Sequence, residues 1–124
     1  MRVLKAFPPN YRELVKLFPI RGKAVIFAWG DTVYNPSGVR IAPEIIAHEN
    51  VHLMQQSGID PSEWWRRYVD DSKFRIGVEI PAHRAEADFL RGHGMKWGHV
   101  AKRLAGPLYG AGLTEAEALL LIGR

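Results

Sequence analysis

The stretch Pro43-Glu44-Ile45-Ile46-Ala47-His48-Glu49-Asn50-Val51-His52-Leu53-Met54-Gln55-Gln56 decides how this chain is read. Pro43 suits the first turn of a helix. Ile45, Ile46, Val51, Leu53 and Met54 carry the helix to about Gln56, and Gly58 stops it. Residues four apart on a helix differ by about 40° in rotation and about 6 Å along the axis. His48 and His52 therefore project from one face, close enough to bind a single ion. Glu49 sits beside that face, where it can reach a water held by the ion without being a ligand. Two neutral nitrogen donors with an adjacent carboxylate form the H-E-x-x-H arrangement of a zinc site with a general base.

Working outward toward the N-terminus, Val39-Arg40-Ile41 and Thr32-Val33-Tyr34 flank Asn35-Pro36-Ser37-Gly38, which predicts a hairpin. Ala24 to Trp29 is an apolar run rich in β-formers and reads as a buried strand. Asn10 with Glu13 resembles a capping box for a helix over 11–18, ended by Pro19. Toward the C-terminus, Asp60-Pro61-Ser62-Glu63 starts a helix that runs to about Val69. Residues 71–77 read as a loop. A further helix spans 78–90, with Pro81 in its first turn and Gly92 at its end. A short helix near 96–105 lies in a glycine-rich segment. Thr114 with Glu117 caps a final helix over 115–122. The sum is an α+β fold over residues 1–124: one domain with a small antiparallel sheet packed against the motif helix.

Composition limits the classes of function. With 124 residues, 47% hydrophobic, the chain suits one globular domain and not a disordered one. The absence of cysteine excludes disulfides and thiolate metal sites. No apolar stretch approaches the roughly 20 residues that cross a bilayer. Residues 1–30 hold six basic side chains and prolines at 8, 9 and 19, without the apolar core of a signal peptide. A cytoplasmic protein without membrane contact is expected. The net charge of +4 is unevenly spread: residues 1–42 carry +5, 43–90 carry −4 and 91–124 carry +3. The basic residues are scattered rather than set in a stripe, which argues against nucleic acid as partner.

A metal site needs a third ligand. Glu79, His83 and Glu86 follow one another at intervals of four and three, so all three share a face of the later helix. As bystanders, Glu79 would only complement the helix dipole and His83 would be a solvated residue.

His48-Glu49-Asn50-Val51-His52, with Gln55 shortly after and Glu79-Ile80-Pro81-Ala82 on a later helix, resembles the gluzincin metallopeptidases. The nearest resemblance is to the small minigluzincin-like members of bacterial and phage genomes, with their H-E-x-x-H…E-x-x-A pattern. It covers roughly Ala24 to Gly92 and includes the order of elements. It implies a zincin-like domain, Zn2+ held by His48, His52 and Glu79, Glu49 as base, and a peptide or protein as substrate. The alternative is a zinc-binding but non-catalytic module of a phage or bacterium. Glu49 argues against it, because a structural zinc usually has four protein ligands and needs no base. Two departures stand out. Larger gluzincins place an Asp four residues after the ligand glutamate to orient a histidine; that position here is His83. The usual Tyr or His donor for the oxyanion has no certain counterpart.

Of the remaining residues, His83 and Tyr68 are candidates for contact with substrate or oxyanion. Trp64, Trp65 and Tyr68 line a groove or belong to the core. Arg66 and Arg67 form a solvated face. His93 and His99 belong to a lid or a surface loop. Val39-Arg40-Ile41, as an exposed sheet edge, would take up an extended peptide.

Overall fold

Gly30-Asp31, not Asn35 to Gly38, makes the hairpin. In the computed structural model, which describes residues 1–123, β2 (Phe27–Trp29) and β3 (Thr32–Tyr34) pair antiparallel with Trp29 opposite Thr32. Gly30 has φ +66° and Asp31 does not have positive φ, the pattern of a type II′ turn with glycine first. The predicted partner strand at 39–41 does not form. Asn35 Nδ2 donates to the Val39 carbonyl at 2.7 Å and the Gly38 amide donates to the Asn35 carbonyl at 3.1 Å, which folds the segment back as a loop.

The sheet has a third strand that the sequence did not signal. β1 (Arg2–Leu4) lies parallel to β3, with Val3 opposite Val33, so the order is β1-β3-β2 and the sheet is mixed rather than antiparallel. All three residues of β1 are exposed, so no pattern of burial marks it. α1 (Tyr11–Leu17) lies where expected, but the Asn10 side chain makes no cap bond, so the predicted capping box does not form.

α2 (Pro43–Gln55) carries the motif, and its buried residues are His48, Glu49 and His52. Ile45, Ile46, Val51 and Leu53 are half-buried, and Met54 is 75% exposed. The helix is thus held inward by its polar face. Gln56, just past its end, clamps the hairpin to it: the Gly30 amide donates to Gln56 Oε1 at 2.7 Å, and Gln56 Nε2 donates to the Ala28 carbonyl at 2.9 Å. Trp65 Nε1 donates to the same carbonyl.

α3 (Pro61–Asp70) is capped by Asp60, whose side chain accepts from the Ser62 amide. α4 (Ser72–Gly92) begins six residues before the predicted start, and residues 72–77 are helical rather than a loop. Asp71 is the reason: its carboxylate accepts from the Lys73 and Phe74 amides, a strong N-cap. Pro81 therefore lies in the helix interior, where its missing N–H leaves the Gly77 carbonyl without a helical donor. Both residues are exposed, so water can serve that carbonyl.

At 21 residues, α4 is long enough to join two apolar clusters. Phe74 and Val78 pack on the cluster of Leu14, Phe27, Trp64, Trp65 and Tyr68. Ala87 and Leu90 belong to a second cluster with α5 (Gly98–Ala105) and α6 (Glu115–Ile122), including Leu104 and Ile122. Between the two, α4 faces α2 with Glu79, His83 and Glu86. No helix of the described residues is long and apolar enough to cross a membrane.

Candidate metal centre

The inward faces of α2 and α4 bring His48, His52 and Glu79 together, each at most 5% exposed, with one donor atom apiece all within 4.8 Å of one another. Glu79 Oε1 lies 3.4 Å from His48 Nε2 and 3.1 Å from His52 Nε2. A tetrahedral ion with bonds of about 2.05 Å spaces its ligand atoms about 3.3 Å apart. These two separations are therefore edges of such a tetrahedron, and the three residues can hold a metal ion.

The far side of each ring is already engaged. His48 Nδ1 faces Glu86 Oε1 at 3.0 Å, and His52 Nδ1 faces Gln55 Oε1 at 2.9 Å. Both oxygens accept, so both Nδ1 atoms carry a proton, and both Nε2 atoms face the shared position. Gln55 is itself fixed by donating to the Val78 carbonyl at 3.0 Å. Glu86 also accepts from Arg103 of α5. The hydroxyl of Tyr68 donates to Glu79 Oε2 at 2.5 Å and leaves Oε1 for the ion.

The electrostatics of the cluster favour a cation. Three buried carboxylates, Glu49, Glu79 and Glu86, surround two imidazoles. Burial disfavours a charged His48, yet its bonds to Glu79 and Glu86 outweigh this and lift its pKa to about 10. His52 is raised likewise, the pull of Glu79 overcoming burial. Burial also resists ionisation of Glu79, but the two histidines hold it well below the usual carboxylate range. Without a metal, then, the site gathers protons at positions where a divalent ion would displace them.

Glu49 stands apart from this network. Its Oε2 lies 3.7 Å from His48 Nε2, and burial raises its pKa. Glu49 and His48 border two cavities. One, of about 70 Å³, runs inward over an aromatic floor that includes Phe18, Trp64, Trp65 and Tyr68. The other, of about 290 Å³, opens past Arg40, Ile45 and Arg103. Val25, Ile26, Leu108 and Tyr109 border both.

The other candidate residues fall as follows. Trp64, Trp65 and Tyr68 are both core and cavity floor. Tyr68 borders the inner cavity, but its hydroxyl is committed to Glu79 rather than free for an oxyanion. His83 is fully buried and borders neither cavity, so it does not face a substrate. Its Nδ1 donates to the Glu79 carbonyl at 2.8 Å, and burial, with His48 alongside, drops its pKa to about 3. Glu86 is not a third ligand, since it bonds the outer nitrogen of His48. Through that contact it orients the His48 ring. His93 lies at the C-terminal end of α4 and His99 in α5, and neither borders a cavity. Arg66 and Arg67 are exposed and pair with Glu63.

The sequence reading missed Tyr109. It lies in the glycine-rich segment after α5, where Arg75 Nε holds its carbonyl at 2.7 Å. Burial and the charge of Glu79 push its hydroxyl well above the usual tyrosine range, so it stays protonated. The signal was only a tyrosine between Gly106 and Gly110.

No family model, curated protein or solved structure matches this chain.

Proposed function

We propose that this protein is a zinc-dependent peptidase of gluzincin type, with His48, His52 and Glu79 as ligands and Glu49 as general base. The observation that carries the reading is the asymmetry of the cluster. Three residues, His48, His52 and Glu79, offer donor atoms to one position, and a further acid, Glu49, stands outside that set at the cavities. A structural zinc would more often have a fourth protein ligand there. A bound zinc would lower the pKa of a coordinated water to about 7 and polarise a carbonyl.

The chain's own residues supply the rest. Glu49, with its pKa raised by burial, accepts a proton from the attacking water and passes it to the leaving amine. Tyr109, kept neutral beside both cavities, donates a hydrogen bond to the carbonyl oxygen as it gains charge. Glu86 and Gln55 hold the two imidazoles in the ligating tautomer.

The test pairs two variants. Glu49→Gln is expected to bind zinc as the unaltered protein does and to lose hydrolysis of a denatured-protein substrate by at least about a hundredfold. His52→Ala is expected to lose zinc. Full activity in Glu49→Gln removes the base assignment, and wild-type zinc content in His52→Ala removes the ligand assignment.

A further inference from the structure

The two cavities that meet at Glu49 differ in chemistry. The inner one is walled by aliphatic and aromatic side chains apart from the metal cluster itself. Its volume of about 70 Å³ leaves room for one apolar side chain. The outer one has two arginines on its wall, Arg40 and Arg103, and Glu49 is its only acid among the described residues. Arg103 serves the buried Glu86 and the Tyr109 side chain, yet its own side chain stays 35% exposed. Arg40 is exposed, and no acidic side chain of the described residues pairs with it. Its position is built rather than incidental, because Asn35 pins the loop through the Val39 carbonyl. Two cations bordering one cavity of about 290 Å³ make a cleft complementary to an anion.

Resting on the peptidase reading above, we infer that the cleft selects peptides with an apolar side chain in the inner cavity and a carboxylate in the outer one. The carboxylate faces Arg40 and Arg103. It comes from an Asp or Glu side chain or from the C-terminus of the peptide.

The experiment measures binding as well as cleavage. Fluorescein-labelled hexapeptides share one leucine and differ at a position two residues away, which carries Glu, Gln or Lys with an amidated C-terminus. A fourth peptide carries Gln with a free C-terminal carboxylate. Each is titrated by anisotropy at low salt against the full 124-residue chain as the zinc-loaded Glu49→Gln variant and as the metal-free unaltered protein. The Glu peptide is expected to bind roughly tenfold tighter than the Lys peptide, with the gap shrinking at high salt. Arg40→Glu, a change at an exposed residue outside the ligand set, is expected to abolish or reverse that order. Tight binding of the fourth peptide assigns the site to a C-terminal carboxylate, and weak binding to an acidic side chain. Equal affinity for all four peptides, an order unchanged by Arg40→Glu, or no binding at all would overturn the inference. Loss of zinc or of hydrolysis in the earlier variants tests the peptidase reading separately, because the metal-free binding series does not depend on turnover.

Discussion

Glu86 shows what a single side chain contributes here. It is 0% exposed and accepts from His48 and from Arg103, and these bonds overcome burial to bring its pKa to about 2. It stays ionised at any ordinary pH and keeps the proton of His48 Nδ1 in place, so that Nε2 is the nitrogen left for a metal. Glu86→Gln retains the shape but loses the charge. Zinc affinity is expected to fall about 10- to 100-fold, the usual effect of removing such a partner. Competition with a chelating dye measures it, and an unchanged affinity would show that Arg103 and Glu86 serve packing alone. The residue was legible in the sequence as a member of the Glu79, His83, Glu86 face. Its role was not, because spacing gives the face of a helix and not the depth at which each side chain meets its neighbour.

At the level of elements, α4 positions the site and α2 displays it. Asp71 starts α4 two turns before Glu79, so the ligand lies within a formed helix rather than at a fraying end. Asp71→Ala is expected to cost about 1 kcal/mol in urea unfolding. A loss below about 0.3 kcal/mol would mean that packing of Phe74 and Val78 sets the helix start. This cap was present in the sequence as Asp71-Ser72, but Gly77 and Pro81 read more strongly as punctuation. Tertiary packing overrode both: Arg75, inside the segment read as a loop, donates to the Tyr68 and Tyr109 carbonyls and ties three parts of the chain together. The predicted hairpin failed for a related reason. Asn35-Pro36-Ser37-Gly38 is a good turn, but Gly30-Asp31 offered a shorter one between residues that Gln56 and Trp65 could anchor.

Across the whole molecule, the buried polar cluster ties stability to pH. His83 is held neutral, with a pKa of about 3 against 6.5 when unfolded, so acid favours the unfolded chain as pH falls below 6.5. Glu86, at about 2 against 4.5, contributes stability that is present above pH 4.5 and lost as pH falls toward 2. Glu79 acts in the same direction. His48 acts oppositely: its pKa of about 10 gives stability that is full below pH 6.5 and lost as pH rises toward 10. The metal-free protein is expected to be most stable near pH 6.5 and to weaken on both sides. Zinc should flatten the alkaline side, because the ion takes the place of the proton on His48. Thermal melts with a chelator and with zinc, from about pH 4 to about pH 9, provide the check. A metal-free midpoint that keeps rising above pH 7 would contradict the assignment of His48.

The local sequence settled the helical placement of His48, Glu49 and His52, the caps of α3 and α6, and the α+β class, because caps, proline positions and helical period act over a few residues. Long-range packing decided that β1 joins β3, that Glu79 rather than His83 or Glu86 meets the two histidines, and that Tyr109 and Arg40 border the same cleft. Those outcomes depend on contacts between residues far apart in the chain, 27 and 38 positions where α4 meets α2, which no local rule encodes.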